Sequence, residues 1–254
     1  MEGEQSGNSN NTEPKNMGLH KRKWSSYLLE FLMLFLAVFL GFVAENIRED
    51  LIDKETEQVY MQNMLYDLQA DTAIYADYFS RTVEVHQLID TIAILIKNPN
   101  RKAHISKLAY SARMLTAKAR KLTAVTRTYD EMKSSGHLRL IRNDVIAGKV
   151  SSYYNSLSAF EDYNDITLIW VNNYAEAMAK LFDGAALLKI IKEKKEISLT
   201  PDAMISEDNI AMNELLTSAG YIYGATALNN NLAASRSKEV LQLIELIKEE
   251  YRLE

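Results

Sequence analysis

No cysteine occurs in the 254 residues. Disulfides, Cys-ligated zinc, iron–sulfur clusters and a thiol nucleophile are thereby excluded, while the compartment stays open. Proline occurs three times and glycine nine times, so little interrupts long regular elements. Basic charge is not in excess either: 29 Lys and Arg stand against 34 Asp and Glu, a net charge of −5. The electrostatic footprint of a nucleic-acid binder is missing, and nucleic acid is not an expected partner. Motifs of known chemistry are missing too. There is no G-x-S-x-G, no Walker-type loop, no G-x-G-x-x-G and no H-E-x-x-H. A di-iron site in a helical bundle needs Glu-x-x-His pairs. The residues three before His86, His104 and His137 are Val83, Arg101 and Ser134. These absences lead to an expectation of no enzymatic activity, no metal and no cofactor.

What the chain does contain is one long apolar run. Residues 27–44 are 18 in number and carry a single charge, Glu30. As a helix they span about 27 Å, close to the hydrocarbon thickness of a bilayer. Trp24 and Tyr27 stand where an interfacial aromatic anchor belongs. HKRK at residues 20–23 precedes the run, whereas Glu45, Glu49, Asp50, Asp53, Glu55 and Glu57 outnumber Arg48 and Lys54 after it. The positive-inside rule then places the N-terminus in the cytoplasm and residues 45–254 outside. A cleaved signal peptide would have a shorter apolar core and a shorter leader. A buried soluble helix would have a polar face, which this run lacks.

On a helix Glu30, Ala37, Gly41, Ala44 and Arg48 share one stripe. Ala37 and Gly41 are a small-x-x-x-small pair of the kind that lets two membrane helices approach closely. Glu30 has two readings. Lying within a turn of the interface, it can snorkel to water. Alternatively, it hydrogen-bonds a partner helix along the small-residue stripe.

The rest of the chain reads as helix. Residues 1–23 are polar at their start and are expected to form a disordered cytoplasmic tail. Residues 24–44 are the transmembrane helix, and residues 45–254 form a helical bundle. Within the latter, residues 46–97 read as one helix with Met61, Met64, Leu65, Leu68, Tyr75, Tyr78, Phe79 and Val83 on its apolar face. KNPN at 97–100 ends it. A second helix is expected over 104–133, with a break near Thr123. Gly136 serves as its left-handed stop. HLRLI follows as a connector, and Asn143 caps a third helix that reaches about residue 193, with Gly184 as a break. Val145, Tyr153, Tyr154, Phe160, Ile169, Tyr174 and Leu181 are on its stripe. A polar linker containing Pro201 leads to a fourth helix, capped by Ser206, over 208–253. Leu241, Ile244, Ile247 and Tyr251 close its stripe. The fold class is all-α, an N-terminal transmembrane helix continuing into an elongated antiparallel four-helix bundle.

One polar cluster stands out. Asp67 and Asp71 are four apart, so their like charges repel, and both fall near the face of Met64, Leu68 and Tyr75. A buried carboxylate needs a partner. HLRLIR offers His137, Arg139 and Arg142 beside apolar leucines. The expectation is that Asp67 or Asp71 pairs with Arg139 or Arg142 and pins the connector to the first helix. The alternative makes the same cluster a pocket for a small ligand or ion.

Three stretches carry a likeness. They are the Glu30-containing span followed by ENIRED, the segment EQVYMQNMLYDLQADT, and TYDEMKSSGHLRLIRND followed by SSYY. Over most of residues 24–155 the chain resembles a family of uncharacterised single-pass membrane proteins of Bacteroidota. That resemblance implies a short tail, one span with a glutamate near its start, a helical domain beyond it and a bacterial envelope setting. It implies no chemistry. In architecture alone the bundle is similar to the four-helix sensor domains of chemoreceptors, but a second span and a cytoplasmic signalling domain are not seen.

The expected protein is therefore a non-enzymatic interaction, scaffold or accessory-subunit protein of the cell envelope. Its expected place is the bacterial inner membrane, with a periplasmic C-terminal domain. The expected partners are the lipid bilayer and either a second copy of the chain or another membrane protein. The alternative is an extracytoplasmic sensor or ligand-binding bundle that signals through its transmembrane helix.

Overall fold

A computed structural model describes residues 19–253, and all regular structure among them is helical. The helices are α1 (Leu19–Ile96), α2 (Ile105–Lys118), α3 (Arg127–Ser135), α4 (Asp144–Ser156), α5 (Ser158–Leu181), α6 (Gly184–Glu193) and α7 (Asn209–Tyr251). A single isolated β-bridge joins Phe182 to Met204. Of the expected tail, residues 1–18 lie outside the described residues and 19–23 belong to α1.

The chain divides into two compact units, residues 1–55 and 56–254. In the first, α1 is long enough and apolar enough to cross a membrane. Every residue from 24 to 55 is exposed. Phe31, Phe35 and Phe39 stack along one side, with ring centroids 6.4 and 6.1 Å apart.

In the second unit α1 carries a strict heptad seam. Positions 57, 61, 64, 68, 71, 75, 78, 82, 85, 89, 92 and 96 are all buried, at alternating steps of four and three. That is the spacing with which one helix keeps a single face toward its neighbours over many turns. Val83 misses the seam and is exposed, because the stripe passes through Thr82 and Val85 instead.

The remaining chain follows α1 down, up and down again. On the first descent Lys118 O accepts from Arg81, Val125 faces Asp71, Thr128 faces Asp67 and Arg142 faces Glu57. Paired residue numbers sum to nearly the same value throughout, as an antiparallel register requires. The ascent through α4 and α5 brings Tyr153 to Asp71 and Tyr174 to Ala112. The last descent is α7, with Thr226 on His86 and Tyr251 on Glu57. This is the expected antiparallel four-segment bundle, with two of its segments broken.

Most of the breaks have local causes. Residues 119–126 leave helical geometry. Gly136 takes the left-handed conformation, φ 74°, that stops α3. Asn143 caps α4, its Oδ1 accepting from Val145 N and Ile146 N at 3.0 and 3.3 Å. The third expected helix is interrupted at Leu157 and again at the extended Phe182, after which Asp183 caps α6. The cap of α7 is Asp208, which accepts from Ala211 N; Ser206 supports it by accepting from Asp208 N. Val145, Ile169 and Leu241, expected inside, are exposed.

Two apolar clusters result. One gathers Ile92, Ile96, Leu108, Leu115, Tyr174 and Leu215, and the other Met61, Met64, Leu68, Val150, Tyr153 and Val240. A polar layer lies between them on α1 and α7. His86 stacks on Tyr223 with centroids 3.8 Å apart and bonds Thr226 at 3.0 Å. Thr82 and Asn229 are buried at the same level.

Candidate functional site: the buried carboxylates of α1

Glu57, Asp67 and Asp71 are 4, 2 and 0% exposed. Three acids inside one helical face must be hydrogen-bonded, because an unpartnered buried charge costs several kcal/mol, on the order of the desolvation penalty itself. Each of them takes a backbone N–H that no helix satisfies.

Asp71 Oδ1 accepts from Val125 N at 2.7 Å, and its Oδ2 accepts from the Tyr153 hydroxyl at 2.7 Å. The Tyr153 oxygen is in turn 3.2 Å from the Tyr75 hydroxyl. Asp67 Oδ2 accepts from Thr128 N at 2.9 Å and from Thr128 Oγ1 at 2.6 Å, while its Oδ1 takes the Arg127 guanidinium at 2.7 Å. The residue before α3, Thr126, makes no capping bond of its own. Asp67 supplies the missing cap from a different helix, satisfying an amide that the first turn leaves open. Glu57 Oε1 accepts from Arg142 N at 2.8 Å and from the Tyr251 hydroxyl at 2.6 Å, and its Oε2 stands 3.4 Å from Arg142 Nε. The non-helical strap 119–126 is also held from α5: Asn164 accepts from Leu122 N at 3.3 Å and donates to Leu122 O at 2.9 Å.

Burial sets the electrostatics of this region. It pushes the Asp71 carboxyl up to about 6, against the opposing pull of the bonds from Tyr153 and Val125. The Tyr75 phenol is pushed up to about 12, again by burial first. Tyr153 and Tyr154 are raised further by burial and by the nearby carboxylates. These phenols stay protonated at any ordinary pH; that of Tyr153 donates to Asp71, whereas the Tyr154 hydroxyl is buried without a hydrogen-bond partner among the described residues. With their oxygens engaged by amides and hydroxyls, the carboxylates fasten the descending chain to α1.

The expected burial of Asp67 and Asp71 is observed, but their expected partners are corrected. Arg142 bonds Glu57, not Asp67 or Asp71. Arg139 is exposed on the turn between α3 and α4. His137 Nδ1 lies 3.0 Å from the Tyr60 hydroxyl. The reason is register. Residues 57 and 67 are ten apart, about 15 Å along the helix, and the descending chain reaches Asp67 with Thr128 long before HLRLIR arrives. Sequence reasoning passed over Glu57 and Thr128. Glu57 had a visible signal, since it opens the heptad that continues through Met61 and Met64. Thr128 had none, because its bond depends on a tertiary register.

On the apolar helix Glu30, Ala37, Gly41 and Ala44 are exposed, and a Cβ built on Gly41 meets nothing within 4 Å. Arg48 is paired with Glu45, its Nε 3.0 Å from Oε2. Among the described residues no three His, Asp or Glu side chains converge as a metal site would require. The chain matches no family model, no curated protein and no solved structure.

Proposed function

We propose that the protein is a membrane-anchored, non-catalytic interaction protein, a scaffold or accessory subunit of a bacterial envelope. The contrast along α1 supports this reading. Residues 27–44 are apolar apart from Glu30 and exposed on every face. An unbroken apolar cylinder of that length is what a bilayer accommodates. From Glu57 onward the same helix buries one seam, and its carboxylates are occupied in holding the fold. The basic cluster before the run and the acidic excess after it favour an N-in orientation, with residues 45–254 in the periplasm. The resemblance to Bacteroidota single-pass proteins agrees with that setting.

The partner in this account is a membrane protein, a second copy or another chain, docking on the stripe of Ala37, Gly41 and Ala44. Full-length tagged protein extracted from its host in mild detergent is expected to carry one such protein in fixed ratio. Gly41→Ile places a branched side chain on the stripe and is expected to release it. Recovery of the chain alone, or equal recovery with the variant, would contradict the docking role. A second reading, a sensor, is favoured by an open groove between α1, α2 and the end of α6.

A further inference from the structure

That groove has a volume of about 590 Å³, within the roughly 300–1,000 Å³ range of small-molecule sites. Its apolar floor is Leu88, Met114, Ala117 and Ile191. Around the floor stand five cations, Arg81, Lys107, Lys118, Arg120 and Lys194, against two acids, Glu84 and Glu196. In a chain of net charge −5, a positive groove is a local exception.

Some of the charge is already engaged. Lys118 pairs with Glu84 at 2.6 Å, while Arg81 and Arg120 donate to carbonyls at the end of α2. Among the other donors lining the groove are the Lys107 and Lys194 ammonium groups and the Ser111 and Tyr110 hydroxyls. None of these four side chains has a hydrogen-bond or ion-pair partner among the described residues. Ser111 is only 2% exposed, and it keeps that little access as part of the groove lining. Lys194 ends α6 in the left-handed conformation, φ 53°, where glycine is the usual residue. A lysine there holds an ammonium at the rim at some cost in backbone strain.

Unengaged donors above an apolar floor are complementary to one kind of molecule. We infer that this groove binds a small organic anion, a carboxylate or phosphate monoester carrying an aromatic or short aliphatic body. The anionic head takes Lys107, Lys194 and the Ser111 and Tyr110 hydroxyls. The body lies on Leu88, Met114 and Ile191. The site is independent of the anchor, so the docking role can fail while the groove binds, and the reverse.

The test uses the full-length chain in lipid nanodiscs at low salt, titrated calorimetrically with phenyl phosphate, benzoate, inorganic phosphate and benzyl alcohol. At least one of the two aromatic anions is expected to bind saturably at one site per chain. Inorganic phosphate is expected to bind about tenfold more weakly or not at all, and the neutral alcohol not at all. Lys194→Gly removes one cation and relieves the left-handed backbone. It is expected to weaken binding roughly 3- to 10-fold while leaving the melting temperature unchanged or higher. Glu196→Gln, which removes an acid at the rim, is expected to tighten binding. Absence of saturable binding of both aromatic anions up to about 10 mM, the weak end of the affinity scale, would overturn the inference. So would binding unaffected by both variants.

Discussion

At the scale of single residues, Asp67 and Asp71 both clamp the descending chain to α1, each through a backbone amide. Asp67 is an N-cap supplied across the bundle. Asp67→Ala strands Thr128 N and the Thr128 hydroxyl in a buried site. Urea denaturation in mild detergent is expected to show a loss of about 2–4 kcal/mol, the sum of a lost cap and an unsatisfied donor. The exposed Arg127 adds little to that figure, because solvent screens it. Asp71 holds its proton up to about pH 6 in the folded chain, whereas an unfolded aspartate releases it near pH 4, at roughly 3.9. Between those values the folded state binds more protons. The stability contributed by this group is therefore full below about pH 4 and is lost as pH rises toward 6, by up to about 1.4 kcal/mol per unit. His86 works in the other direction. Burial lowers its pKa below the ordinary 6.5, so its contribution is lost as pH falls through that region. Asp71→Asn removes only the first effect. The difference in unfolding free energy between the two proteins is expected to change between pH 4 and 6 and to be flat above 7. A constant difference across that range would show that Asp71 titrates alike in both states.

At the scale of elements, the seam of α1 was largely legible in the sequence, and the segments packed on it were only partly so. Met61, Met64, Leu68 and Tyr75 recur at helical steps, and KNPN, Gly136 and Asn143 mark ends by their own backbone chemistry. Exposed Val83, Val145 and Ile169 show where periodicity misleads: each is one or two residues from a seam position, and short windows cannot separate adjacent stripes. The strap 119–126 is different again. The sequence from Ala117 to Thr126 is compatible with helix, so its non-helical form is imposed from outside, by Asp71 on Val125 and by Asn164 on Leu122. The amides of Leu122 and Val125 are accordingly expected to resist hydrogen exchange although no helix contains them. Asn164→Ala is expected to speed exchange at Leu122 by about tenfold or more, the equivalent of one buried hydrogen bond. Exchange at Leu122 as fast in the parent chain as in a free loop would show that the strap is not clamped.

At the scale of the whole molecule, the candidate site could be found in the sequence only by half. Acids on an apolar face announce burial, but a carboxylate seeks whichever donor the register delivers. That register depends on where two segments of the bundle break. The apolar run was legible for the opposite reason: eighteen residues with one charge have the length and composition that crossing a bilayer requires, whatever their neighbours in the fold. The absence of cysteine also makes orientation directly measurable. Single substitutions Ser9→Cys, before the apolar run, and Ser198→Cys, on the exposed linker before α7, can each be probed in intact cells of permeabilised outer membrane with a membrane-impermeant maleimide. The protein is expected to stay in the carbonate-washed membrane pellet. In that pellet Ser198→Cys should be labelled in intact cells and Ser9→Cys only after lysis. Release into the soluble fraction, or labelling of Ser9→Cys in place of Ser198→Cys, would contradict this expectation.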